Sequence, residues 1–250
     1  MFETLAGLGA QQLVTYTVAA MAVFLGFDLW RRCARALQSL GEEAGAARRK
    51  TALALLLWLA LALALTLVPA LRSAAAATPL LQPVLSLGAI AALSALSLLP
   101  SFRRAFDSLP LEEVMSINYW RAIFGMGLLA FYTGGVLPSA FALPTAFGDM
   151  LVTCVMVLQL AAAQRRGRVP RGPLLVWNTL GLLDLVNALF LLVTVLRPWA
   201  TARGLAVGNF ALAAFAVPLF IAIHLHIYAR LLREGAAARR ALSVPVENAV

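Results

Sequence analysis

Four side chains that can carry charge or pass a proton lie deep inside apolar sequence. They are Asp149 in FALPTAFGDM, Asp184 in WNTLGLLDLVNALF, and His224 and His226 in PLFIAIHLHIYAR. An ionisable side chain at bilayer depth costs about 2.5–3.5 kcal/mol on insertion scales, so it usually faces the interior of a helix bundle and marks function. Asp184 is the deepest acid. Asn187 follows it by one turn and shares its face, and Asn178 lies nearly two turns the other way. If the helices carrying Asp149 and Asp184 are antiparallel neighbours, the two acids fall at similar depth. Two carboxyl groups in low dielectric hold a proton or a cation between them, because two bare anions there repel each other. His224 and His226 are two positions apart, about 200° on a helix, and face opposite ways. They cannot clamp one metal. The spacing predicts one inward-facing imidazole and one turned toward lipid or the interface. His224, with Tyr228 one turn away, is the better proton partner. Arg121 reads as an interfacial anchor that can also pair with an acid. The candidate ligand- or proton-binding set is therefore Asp149, Asp184, Asn178, Asn187, His224 and Arg121.

Other chemistries are excluded by what is missing. Lys50 is the single lysine and lies outside every apolar run, which removes a retinal Schiff base. The sequence has no CxxCH haem motif, no Walker A, no HExxH, no GxSxG and no Asp-rich DDxxD-like motif. Two histidines cannot build a three-histidine zinc site. Cys33, beside an arginine cluster, and Cys154, in an apolar run, are not expected to pair. No catalytic residue, metal site or cofactor is assigned, and the reading leans away from an enzyme.

The elements that must position these residues are membrane helices. Of 250 residues, 62% are apolar and 12% charged, and mean hydropathy is +0.88. Soluble domains average about 45–50% apolar and about 25% charged residues, so a soluble globular enzyme is excluded. Disorder is excluded by the same hydrophobicity. The apolar runs predict an all-α polytopic membrane protein. It is a bundle of seven transmembrane helices over 11–30, 51–71, 79–100, 118–137, 142–163, 173–196 and 206–229. Residues 1–232 form one transmembrane domain, and 233–250 a cytoplasmic tail. Leu137–Pro144 reads as a tight turn, Arg165–Pro173 as a polar connector, and Arg197-Pro198 as the end of the sixth span. Pro218 frees the carbonyl of Ala214 in the seventh. Within Ser101–Ser116, Ser108 is expected to cap a short helix with Glu112 and Glu113 in its first turn. Leu111, Val114 and Met115 would then form an apolar stripe at the membrane surface.

The 20 basic and 11 acidic residues give a net charge of +9. In a soluble protein that balance suggests nucleic acid. Here seventeen of the 20 basic residues fall on one side of the predicted spans, leaving Arg72, Arg197 and Arg203 on the other. They orient the chain in the bilayer and give no reason to expect nucleic acid. The positive-inside rule puts the N-terminus outside and the C-terminus in the cytoplasm. Without a basic n-region in the first ten residues, the first span is expected to be retained.

From Tyr119 to Arg233 the sequence resembles an uncharacterised family of bacterial multi-pass membrane proteins, through YWRAIFG, FALPTAFGDM, WNTLGLLDLVNA and VPLFIAIHL in that order. The resemblance touches Arg121, Pro144, Gly148, Asp149, Trp177, Asn178, Gly181, Asp184, Pro218 and His224. It implies a bacterial inner-membrane protein and supplies no chemistry. The first three spans show no such resemblance. The expected function is the binding or transport of a small molecule or lipid at the intramembrane polar site, within the lipid bilayer. A non-catalytic scaffold or sensor subunit beside a membrane-protein partner is the alternative. An intramembrane lipid-modifying enzyme is the second alternative.

Overall fold

Apolar runs of this length fold as helices because hydrocarbon offers no partner for a free backbone N–H or C=O. The computed structural model describes residues 2–71, 78, 81–98, 100–203 and 212–243, and among these every regular element is helical. In chain order they are α1 (Phe2–Ser39), α2 (Ala44–Leu67), α3 (Leu81–Leu98), α4 (Pro100–Ser108), α5 (Leu111–Ser116), α6 (Tyr119–Thr133), α7 (Ser139–Arg166), α8 (Arg171–Leu191) and α9 (Val217–Ser243). A π-helical stretch, Leu192–Leu196, carries α8 on into the short helix Arg197–Thr201, and a second, Leu212–Ala216, leads into α9. Six stretches among the described residues are long and apolar enough to cross a membrane: Gln12–Ser39, Ala44–Leu67, Leu111–Thr133, Ser139–Arg166, Arg171–Thr201 and Ala214–Gly235. The span expected at 79–100 overlaps α3, which is not one of these six, and its residues 79, 80 and 99 lie outside the described residues. Arg72 and the expected start of the last span, 206–211, lie outside the described residues.

The boundaries have local causes. α1 continues to Ser39, so Arg31, Arg32 and Arg35 stand on a helix and not in the loop expected after residue 30. Gly41 (φ 86°) reverses the chain, as only a residue without Cβ does freely. The Glu43 carboxylate then accepts from the N–H groups of Gly45 (3.1 Å) and Ala46 (3.3 Å) and starts α2. Val68, extended before Pro69, ends it. The turn expected at Leu137–Pro144 falls earlier: α7 begins at Ser139, which leaves Pro144 inside the helix. At the sixth position of the helix this proline forfeits one bond, the one to the Ala140 carbonyl. Arg197-Pro198 does not end α8 either. The π turn resets the register, and Pro198 sits in the first turn of the resumed helix, where no N–H is demanded.

α9 forms the centre, and Ala214–Gly235 is the most buried of the six long stretches. α8 packs on one side of it and α3 on another, α6 lies along α7, and α1 along α2. Large apolar side chains such as Leu53, Leu57, Leu158, Leu183 and Phe190 point outward, as a lipid-facing surface requires. α5 does not lie on that surface: Val114 and Met115 are fully buried in the bundle. Its N-cap position is Pro110, and Ser108, expected to cap it, turns its hydroxyl instead toward the Ala36 carbonyl (3.5 Å). Arginines clamp this elbow. Arg32 donates to the Glu113 carbonyl (2.7 Å) and the Ser116 hydroxyl (2.8 Å), Arg230 to the Leu109 carbonyl (2.8 Å), and Arg233 pairs with Asp107 (2.7 Å). Asp28 pairs with Arg32 (3.0 Å) and accepts from Trp120 Nε1 (3.2 Å), while the neighbouring Arg31 is exposed. The Ala214 carbonyl freed by Pro218 accepts from Trp58 Nε1 at 2.9 Å.

The α6–α7 contact depends on Gly125, where an added Cβ would stand 2.9 Å from the Ala146 carbonyl. Gly125→Ala is expected to cost about 1–3 kcal/mol through overpacking. Gly88→Ala, with nothing within 4 Å, is expected to leave the unfolding midpoint unchanged or raise it slightly. Thermal unfolding of both variants in detergent checks the contrast.

Candidate functional site

Arg121 occupies the first turn of α6. Because α5 tucks into the bundle, that turn starts inside the protein and not at its rim. The side chain is fully buried, which corrects its reading as an interfacial anchor. A guanidinium in a dry interior demands partners for its planar fork of donors. Nε donates to Asp149 Oδ1 on α7 at 2.7 Å. Nη2 pairs with Asp184 Oδ2 on α8. Nη1 donates to the Gly181 carbonyl at 3.0 Å and lies 3.3 Å from His224 Nε2 on α9. One side chain thus joins four helices, and the two acids meet at one depth as the antiparallel neighbour argument expects.

Asn178 fixes the histidine. Its Nδ2 donates to the His224 carbonyl (3.0 Å), which turns Oδ1, an acceptor, toward His224 Nδ1 (2.8 Å). With the proton on Nδ1, the lone pair of Nε2 faces the guanidinium. Trp177 donates to the Val152 carbonyl (2.8 Å) and sets its ring 5.3 Å from the imidazole. Two glycines make room: a Cβ at Gly148 would overlap the Asp184 carboxylate, and one at Gly181 would overlap the imidazole of His224.

The remaining candidates separate. The buried stripe of α8 contains Leu174, Trp177, Asn178, Gly181 and Leu185. On a 100° wheel centred on Gly181, Asp184 falls about 60° away and Asn187 about 120° away. Asp184 therefore reaches the cluster from the stripe's edge, while Asn187 is exposed and outside it. One of the two histidines was expected at lipid or the interface, yet both are buried, and His226 is the one outside the cluster. It lies against Phe106 (5.4 Å between ring centroids) and 3.5 Å from Asp107, because α9 is covered on both sides. Among the described residues no three His, Cys, Asp or Glu side chains converge as a metal site.

Sequence reasoning missed Thr145. It lies one turn before Asp149 on α7, and that i, i+4 spacing in FALPTAFGDM was the available signal. Both residues line a cavity of about 100 Å³ whose other walls are apolar. It extends from Asp149 to Leu137 and Leu196, at the end of the bundle carrying the α6–α7 turn. On the opposite side of the cluster Trp177, Asn178 and Met156 are packed without exposure. The arrangement can hold charge and relay a proton; it presents no nucleophile beside a base.

Removing Arg121 strands two acids. Arg121→Met is expected to cost about 3–5 kcal/mol, the loss typical of one partner of a buried ion pair. Adding Asp149→Asn and Asp184→Asn is expected to recover most of that loss. Chemical unfolding of the single and triple variants in detergent measures it.

Comparison with curated proteins and with solved structures gives no match. One family model does match, over residues 78–232, which include α3 through most of α9 and every member of the Arg121 cluster. The match reaches upstream of Tyr119 into the third apolar run, where the sequence reading found no resemblance. The chain belongs to the family of the domain of unknown function DUF8737.

Proposed function

We propose that the chain is a bacterial inner-membrane protein of seven spans, N-terminus outside and C-terminus in the cytoplasm, that binds a small molecule at the Arg121 cluster and carries it across the bilayer. The observation that carries this reading is one guanidinium set between two carboxyl groups at bilayer depth, with one of those acids, Asp149, open to a cavity. One positive charge balances one carboxylate. The second needs a proton or a cation, because an uncompensated charge in hydrocarbon is costly. A site that only tied helices together would need one acid and no cavity.

Access is one-sided. The cavity extends to the end bearing the α6–α7 turn, and the Trp177–Asn178–His224 layer closes the other. With the arginine-rich end in the cytoplasm, the open side is the outer one. A carrier resting in one of its two access states has this form. Native mass spectrometry of protein extracted gently from its membranes provides the test. Wild type is expected to carry a stoichiometric small-molecule adduct, and Asp149→Asn to lose it. An adduct-free wild type, or one recovered with a stoichiometric membrane-protein partner and no adduct, overturns the reading and favours a subunit role.

A further inference from the structure

The cavity beside Asp149 has walls that choose among cations. It is small, about 100 Å³. A cavity that holds benzene measures about 150 Å³, so this one has room for about four non-hydrogen atoms. Phe124, Phe131, Phe141 and Phe220 contribute to its walls, and its polar side chains are Thr145 and Asp149. Asp149 Oδ1 is held by Arg121, and among the described residues no hydrogen bond engages Oδ2.

Thr145 is the second, independent sign. Its side chain is 6% exposed and its hydroxyl has no hydrogen-bond partner. Helical threonines ordinarily satisfy themselves on the carbonyl four residues back. Thr51, Thr66, Thr153, Thr179 and Thr194 all do so here. Thr145 does not, and a buried polar group left unpaired costs stability unless something else meets it. It lines the cavity one turn from Asp149.

Resting on the reading of this site as one that binds a small molecule, we propose that the cavity binds a short primary alkylammonium ion, of methylammonium or ethylammonium size. The ammonium N–H groups donate to Asp149 Oδ2 and Thr145 Oγ1, and the alkyl end lies among the phenyl rings. Desolvated cations are attracted to aromatic rings. A bare alkali or divalent cation is less suited, since hard cations want about six oxygen ligands and two residues supply too few. A quaternary ammonium has no N–H for the threonine.

The test is titration of ethylammonium chloride into the detergent-purified full chain, followed by isothermal calorimetry. Saturable binding is expected, with potassium chloride and hexylammonium as non-binding comparisons. Asp149→Asn is expected to weaken binding at least tenfold. Should that variant fail to fold, two others carry the test. Thr145→Val, which removes an unpaired hydroxyl and should leave stability unchanged or higher, is expected to weaken binding about 3–10-fold. Ala188→Phe, which fills the cavity, is expected to abolish it. Binding indifferent to both variants overturns the proposal. No ethylammonium binding by a wild type that still carries a small-molecule adduct overturns the ammonium assignment and leaves the carrier reading standing. With neither adduct nor binding, both fall.

Discussion

Arg121 is held by Asp149 on α7, Asp184 on α8 and the Gly181 carbonyl, with His224 of α9 against its remaining face. A guanidinium cannot lose its charge in a protein, so its burial imposes conditions on everything around it. At least one carboxylate must meet it, and here acids arrive from two different helices at one depth. α8 must approach closely enough for a backbone carbonyl to accept, which is why residue 181 is glycine and why His224 sits where a Cβ would be. The imidazole must offer a lone pair and not a proton, and Asn178 secures that by accepting from Nδ1. Each condition is met by a residue whose own position is fixed by another: Asn178 by the His224 carbonyl, Trp177 by the Val152 carbonyl.

Much of this was legible in the sequence because membranes leave few polar residues to choose among. Asp149, Asp184, Asn178 and His224 stood out against apolar runs, and the structure brings them together. What was not legible depended on the third dimension. Arg121 lies close to a charged, polar segment, and sequence distance makes it look like an interfacial residue. Only the inward tuck of α5, with Val114 and Met115 buried, moves it to the centre. Asn187 looked like a partner of Asp184 because three residues is nearly one turn. The 60° that remains is enough to turn it outward when the buried stripe is centred on Gly181. Helix ends were misjudged where proline was read as a stop. Pro198 lies in the first turn of a helical segment, where a missing N–H costs little, and Pro144 lies in the second turn, where it forfeits a single bond to the Ala140 carbonyl.

The two parts of the chain contribute differently. Every residue of the cluster lies within the family match, after residue 78. α1 and α2 precede it and supply braces: Arg32 and Arg35 hold the α5 elbow from α1, and Trp58 of α2 takes the Ala214 carbonyl. That last bond bears on the site. Pro218 and the π turn before it weaken the helical ladder just where Leu212, Val217 and Phe220 line the cavity, and His224 follows on the same helix. Helices bend where a proline interrupts their hydrogen bonds. The Trp58 indole gives the Ala214 carbonyl the partner that Pro218 cannot supply. His224 is thus held against Arg121 by Asn178 directly, while Trp58 ties the stretch that leads into α9 to α2.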